Sequence, residues 1–369
     1  MTRYIAVDTE TTGINLFHES QPFAVTTCDE VGITKIWEWD VDPTTRNVIV
    51  PEEDLQELVD YLDGATLVFH NGKFDIHALK KIGVRLSIKD VWSSETYGDH
   101  TYEAIIAGYE DTLLASHVCN SEEPHGLKAL SEKYLGILSD DEHELLDAVK
   151  SARRAGKVEG YNLGERVPCD YWLPKVIDPE STVLSEYAVQ DVVRTMLLWI
   201  MYQKVLTEKD LWDKYQQRKS LVPITYRMEQ YGVTLKPRTL TSEIARYNKM
   251  TEEQEIVCHG IADKFLSKEF NVRSGIQIQK VLYGDPDGET SSHRRGLNCP
   301  VTVVTKTGAS TSASVLLDLY HNHVGNRSKA KSFLGAILSH RKARTCSQYL
   351  QSYQDLLLKE GGKFVLHPS

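Results

Sequence analysis

The sequence predicts an α/β protein in two parts, a small mixed sheet with helices over residues 1–209 and a mostly helical module over 210–369. Three observations carry this prediction. Apolar or alternating runs of strand length crowd residues 4–69, helical periodicities dominate the rest of the chain, and the charge changes sign between the halves. A length of 369 residues also fits two domains, at about 100–200 residues each.

Residues 4–7 (YIAV), 23–27 with 33–41 around an Asp-Glu-Val-Gly turn, and 66–69 (TLVF) read as strands. Between them "PEEDLQELVDYLDG" (51–64) opens on Pro, is acidic in its first turn and closes on Gly, which is a capped helix. Helical periodicity returns at 72–82, 102–117, 126–136, 142–155 and 184–206, whereas the Gly- and Pro-punctuated stretch 156–180 reads as an irregular excursion. From about 210 the character changes: the segment "TEKDLWDKYQQRKSLVPITYRMEQYGV" reads as helical, and long helices are expected at 240–268 and 328–359. The turn-rich stretch 283–312 between them is expected to be exposed.

Hydrophobic residues make up 41% of the chain, enough for globular folding. No run of about 18 apolar residues occurs, and Met1 is followed by a strand-like segment, so a soluble, untargeted protein with no membrane partner is expected. Six cysteines are scattered without a C-x-x-C pair, which argues against a disulfide framework or structural zinc and for a reducing cytoplasm.

The net charge of −10 hides two unlike halves. Residues 1–220 hold 22 basic against 39 acidic side chains, and residues 221–369 hold 20 against 13. Residues 321–350 carry Arg327, Lys329, Lys331, Arg341, Lys342 and Arg344 with no acid. That run is either a solvated helix face or a surface that contacts phosphates.

In "YIAVDTETTG" the two acids Asp8 and Glu10 alternate along a strand and so project from one face. "FHNGKFDIHAL" adds Asp75 four residues after Asn71, and "EYAVQDVVRTML" places Tyr187 and Asp191 at i and i+4 of a helix. Gathered without partners, four carboxylates would repel one another and resist ionisation. Such a set makes sense when divalent cations neutralise it, and an all-oxygen donor set suits Mg²⁺ or Mn²⁺.

Together "VDTETTG", "HNGKFD" and "YAVQD" resemble the three exonuclease motifs of the DEDD superfamily in its Tyr-containing branch, in order and with the D-x-E, N-x-x-x-D and Y-x-x-x-D spacings intact. "EDTLLASHV" and "GLKALSEKYLG" are similar to intervening family segments. The resemblance implies an RNase H-like fold and two-metal hydrolysis at a DNA 3′ end. It makes Asp8, Glu10, Asp75, Tyr187 and Asp191 the catalytic set, the four acids holding two Mg²⁺ or Mn²⁺ ions and Tyr187 contacting the attacking water. Ile14 stands where the family places an apolar wedge, with a core or loop role as the alternative. Asn71 is a candidate phosphate contact or helix cap, and Phe74 a candidate DNA contact or core residue. His70, His77 and His125 are read as structural.

After 210 the chain resembles the DNA polymerase I-like (family A) polymerases. "LVPITYRMEQYGVTL" is similar to their entry into the palm, and "FNVRSGIQIQKVLY", "TKTGASTSASVL" and "HRKARTCSQYLQSYQDLL" to successive thumb segments. The resemblance implies a partial palm and thumb gripping a primer–template duplex, with Lys306, Thr307, Ser310, Arg341, Lys342 and Arg344 as candidate DNA contacts. Motifs similar to the family's polymerase carboxylate and triphosphate sites do not occur, so this chain alone is not expected to synthesise DNA. The expected activity is a metal-dependent 3′–5′ exodeoxyribonuclease, proofreading by descent and bacteriophage-like in source, working in bacterial or infected-host cytoplasm. The alternatives are a DNA-binding or assembly subunit that recruits a C-terminal polymerase chain, and an RNA-trimming nuclease of the same superfamily.

Overall fold

The computed structural model describes residues 2–88, 102–161, 170–306, 308–326, 328–360 and 362–367. It divides into two compact units, Met1–Tyr231 and Gly232–Pro368.

In chain order the first unit holds β1 (Tyr4–Thr11), β2 (Pro22–Asp29), β3 (Thr34–Glu38), α1 (Glu52–Leu62), β4 (Thr66–Phe69), α2 (Gly72–Lys81), β5 (Val84–Ile88), β6 (Tyr102–Ile106) and β7 (Gly108–Asp111). The helices α3 (Thr112–Cys119), α4 (Leu127–Leu135), α5 (Asp140–Val158), α6 (Leu173–Ile177), α7 (Val183–Glu208), α8 (Trp212–Lys219) and α9 (Val222–Tyr231) complete it. The main sheet runs β3-β2-β1-β4-β7, which puts β1 at its centre. β1 pairs antiparallel with β2, and parallel with β4, which in turn pairs parallel with β7.

Strand alternation sorts the core onto two faces. Ile5, Val7, Leu67 and Phe69 pack with Leu58 and Leu62 of α1 and with Ile76 and Leu79 of α2. Ala6 and Val68 face the opposite way, against Leu130 of α4 and Val192, Met196 and Trp199 of α7. The mixed sheet with covering helices expected from the sequence is therefore present.

Three details differ from the sequence reading. The helix expected over 102–117 is two strands and a shorter helix, because β6 pairs parallel with β5 and β7 with β4. Period-two burial decides it, with Ala104 and Ile106 inside and Glu103 and Ile105 outside. The irregular excursion at 156–180 contains the short helix α6, and its residues 162–169 lie outside the described residues.

The first unit also runs on to Tyr231, past the break expected at 209/210. Tyr215 of α8 is fully buried; its hydroxyl donates to Glu110 at 2.8 Å and accepts from the Asp111 N–H at 2.9 Å. Val222 of α9 joins the same core as Ile5 and Phe69.

The second unit contains β8 (Val233–Thr234), α10 (Pro237–Ala262), α11 (Gly275–Tyr283), α12 (Ser291–Arg295), β9 (Val304–Thr305), β10 (Gly308–Ala309), α13 (Ala313–Asp318), α14 (Lys329–Asp355), β11 (Leu358–Glu360) and β12 (Lys363–Leu366). The long helices α10 and α14 pack side by side. Cys258, Ile278, Val281, Leu316, Phe333 and Ile337 form the centre of its core. β9 and β10 make a two-stranded ribbon, and β11, β12 and β8 a small antiparallel sheet. Within the stretch expected to be turn-rich, α12 and the β9–β10 ribbon are the regular pieces among the described residues.

Candidate active site

β1 pairs with β4 only over Tyr4–Ala6. Its second half, with Asp8 and Glu10 on one face, extends past the carboxyl end of β4, where open α/β sheets place ligands. Both acids are half-buried.

The turn from β4 into α2 delivers the third acid. Asn71 lies in the left-handed region at φ 73°, and a Cβ on Gly72 would stand 2.6 Å from Phe69 Cγ, so the turn needs glycine there. The N-terminus of α2 is capped from a distance: the buried Asp111 carboxylate accepts from the N–H groups of Asn71 (3.3 Å) and Gly72 (2.9 Å). The same carboxylate caps α3 through the N–H groups of Leu113 (2.9 Å) and Leu114 (3.2 Å). Asp75, only 3% exposed, accepts from the Thr9 N–H at 3.0 Å and the Thr9 hydroxyl at 2.8 Å. These two bonds tie α2 to β1 between Asp8 and Glu10.

α7 brings Asp191 and Tyr187, both buried. Burial, then the Asp191 charge, pushes the Asp8 carboxyl up to about 7. Burial followed by Asp8 and Asp191 holds Glu10 well above the usual carboxylate range, and burial followed by Asp8 does the same for Asp75. The Tyr187 hydroxyl is raised by burial, then by Asp191 and Glu10. Four carboxylates and one phenol from three elements therefore share one field.

Two cations reach this field that the sequence reading did not single out. Lys128 of α4 bonds Asp191, stands 3.3 Å from Asp141 Oδ2 and sits 4.2 Å over the Tyr187 ring. Arg194, 1% exposed, lies 3.0 Å from Asp191, forms a fork on Asp141 at 2.6 and 2.7 Å and donates to the Leu138 carbonyl at 2.8 Å. The clue to Arg194 is its position three residues after Asp191 on one helix. Lys128 lies in the segment "GLKALSEKYLG", but nothing local aims it at α7. Among the described residues, no three His, Cys, Asp or Glu side chains meet closely enough to hold a metal ion as they stand, with Asp191 engaged by Lys128 and Arg194 and Asp75 by Thr9.

Of the candidate DNA contacts in this unit, Ile14 is 68% exposed, Asn71 is exposed and makes no side-chain cap, and Phe74 is half-buried outside the core clusters. His70 Nδ1 meets the Thr112 hydroxyl at 2.8 Å and His125 Nδ1 the Ser116 hydroxyl at 2.8 Å, as structural histidines do. In the second unit Lys306 and Lys342 are exposed and Arg344 is half-buried. Arg341 donates to the Thr311 carbonyl at 2.7 Å. Ser310, expected at the surface, is buried and bonds Ser312 at 3.3 Å, because it follows β10 into the packing beneath α11. Thr307 and Arg327 lie outside the described residues.

The model of the DNA polymerase A 3′–5′ exonuclease family matches residues 1–208. Among curated proteins the chain is similar to the DNA polymerase DpoZ of Salmonella phage PMBT28, 24% identical over 250 residues that cover 68% of this chain and 34% of that protein. DNA polymerase DpoZ of Vibrio phage phiVC8 is 20% identical over 247 residues, 66% of this chain and 35% of that protein. The chain thus spans about a third of the length of these curated relatives. Among solved structures, the POL domain of Pol1 from M. smegmatis, in complex with DNA primer-template and dNTP, superposes with a TM-score of 0.59 at 15% identity, over 99% of this chain and 48% of that one. That likeness shows a shared fold, and the family match over more than half of the chain establishes kinship: this chain belongs to the DNA polymerase A 3′–5′ exonuclease family.

Proposed function

We propose that the first unit removes nucleotides from a DNA 3′ end at the Asp8–Glu10–Asp75–Asp191 cluster, as the proofreading part of a family A DNA polymerase. The observation that carries this reading is that β1, α2 and α7 gather the four acids beyond the end of β4, where burial and then neighbouring acids hold Asp8, Glu10 and Asp75 above the usual carboxylate range. An all-carboxylate donor set with such mutual repulsion fits divalent cations, with Mg²⁺ or Mn²⁺ the natural occupants.

Asp8, Glu10 and Asp191 would together hold one divalent cation, and Asp8 with Asp75 a second. When bound, such ions lower the pKa of an attacking water and stabilise the leaving 3′ oxygen. The chain's own residues position the reactants. Tyr187, its proton held by burial and then by the surrounding acids, orients the water through its hydroxyl, and Glu10 helps to aim it. The Thr9–Asp75 bonds tie β1 to α2, and Ile14, 68% exposed and so free to contact a substrate, is read as the apolar contact for the terminal base.

Tyr187→Phe tests the water-orienting role. It should lower kcat on single-stranded DNA by about tenfold to a hundredfold, with the affinity for Mn²⁺ measured by calorimetry within about twofold of the parent's. An unchanged kcat would remove Tyr187 from the chemistry.

The second unit is proposed to grip primer–template duplex, a reading supported by its positive balance and by the exposed Lys306 and Lys342. Replacing Lys342 and Arg344 together by Ala should weaken duplex binding and reduce the slope of log K against log salt by about 2, as fewer counterions are released. A slope equal to the parent's would place the duplex elsewhere. Synthesis itself would require polymerase carboxylates supplied by a C-terminal chain, and primer extension with and without such a chain is the test of that partnership.

A further inference from the structure

The helix that delivers Asp75 is held from both sides. On one side Asp75 accepts from Thr9 of β1. On the other, Lys73, His77 and Lys80, spaced i, i+4 and i+7 along α2, meet Tyr226, Glu229 and Gln230 of α9, spaced i, i+3 and i+4. Glu229 bonds the Lys73 ammonium through Oε1 and stands 3.0 Å from His77 Nε2 through Oε2. Gln230 Nε2 donates to His77 Nδ1 at 2.6 Å, and Gln230 Oε1 accepts from the Lys80 ammonium.

These partners assign the tautomer. Because Nδ1 accepts from Gln230, the neutral imidazole carries its proton on Nε2 and donates to Glu229. Burial holds His77 below its usual pKa, which agrees with a neutral ring. The Tyr226 ring stacks on the His77 ring at 4.4 Å, and Phe17 meets it edge-on at 5.1 Å. Glu229 is the acceptor for Lys73 and His77, and its side chain is 16% exposed, so water does little to replace it.

We propose that Glu229 is a positioning residue for the exonuclease reaction, which sets the pitch of α2 and so the placement of Asp75. The residue stands far outside the three acidic motifs, in a segment whose sequence reads as the start of the other module, and it bonds Lys73 and His77 on the face of α2 that bears them. Its leverage is geometric. A carboxylate that must hold its place to a fraction of an ångström is carried on a helix of ten residues that Asp111 caps at its start, Thr9 holds on one side and Glu229 and Gln230 hold on the other.

The inference rests on the reading of Asp75 as part of the active site, so the 369-residue chain is tested with Asp75→Asn as reference beside Glu229→Ala, Glu229→Gln and Lys73→Met. Rates on 5′-labelled single-stranded DNA are measured with Mn²⁺, alongside Mn²⁺ binding by calorimetry without DNA and the melting temperature. Glu229→Ala should lower kcat by about tenfold to a hundredfold with KM nearly unchanged, and weaken Mn²⁺ binding. Glu229→Gln can accept from only one of the two donors and should fall between parent and Ala. Lys73→Met on top of Glu229→Ala should cost less than its single effect, since the two share one interaction.

Parent-like kcat and Mn²⁺ affinity in Glu229→Ala, with only a lower melting temperature, would reduce Glu229 to a structural residue and overturn the proposal. So would a loss confined to KM. Full activity in Asp75→Asn would instead remove the reading on which the proposal rests, a result distinguishable from failure of the Glu229 variants alone.

Discussion

Replacing Asp8 by Ala is expected to lower exonuclease turnover by more than about 10³-fold while leaving the fold intact. Asp8 sits at the centre of the central strand, half-buried, with a proton affinity raised by burial and by Asp191. No backbone pairing depends on its carboxylate, because its neighbours on β2 are held through the main chain, with Asp8 opposite Thr26. Removing a carboxylate held among like charges relieves repulsion, so the variant should melt at or above the parent temperature in chelator. Calorimetric titration with Mn²⁺ should show weakened or lost binding in the same protein. Parent-like turnover in Asp8→Ala would place the chemistry elsewhere.

The largest expected effect on stability comes from a residue outside the acid cluster. Asp111→Ala removes the acceptor for four backbone N–H groups, of Asn71, Gly72, Leu113 and Leu114, at the starts of α2 and α3. With the carboxylate 4% exposed, water cannot readily replace it. A loss of about 3–4 kcal/mol is expected, and an apparent melting temperature lower by about 10 °C. Asp111→Asn keeps one acceptor oxygen and should lose about half as much. A melting temperature within about 2 °C of the parent in Asp111→Ala would show that the two helices start without this cap.

Much of this architecture is legible in the sequence because its signals are local. Strand alternation around Asp8 and Glu10, the Pro-to-Gly frame of α1 and the four-residue spacing of Tyr187 and Asp191 each declare themselves within a dozen residues. The features that stay hidden depend on contacts between distant segments. The run from Tyr102 to His117 carries helix-compatible apolar spacing, yet parallel pairing with β4 and β5 draws its first part into strands. Asn71 has the composition of a cap, but its left-handed backbone turns the task over to Asp111, forty residues on. Lys128 and Arg194 approach Asp191 only once α4, α5 and α7 have packed. Helix α9 lies in the segment that resembles the opening of a polymerase palm, while Val222 buries it in the first unit, as Tyr215 does α8.

The placement of α9 also bears on where the first unit can be cut. A chain ended at residue 209 would discard Tyr215, which bonds both Glu110 and the Asp111 backbone, and Glu229, which anchors α2. Both lie on the route by which Asp75 is held in place.

The proposed action of the acid cluster of the first unit is to shorten DNA from its 3′ end with divalent metal. It is tested most directly by incubating the purified chain with 5′-labelled single-stranded DNA, in Mg²⁺ or Mn²⁺ and in chelator, and resolving the products at single-nucleotide resolution. With metal, a ladder shortening one nucleotide at a time from the 3′ end is expected, and in chelator intact DNA. Internal or 5′ cleavage, or an undiminished ladder in chelator, would contradict it.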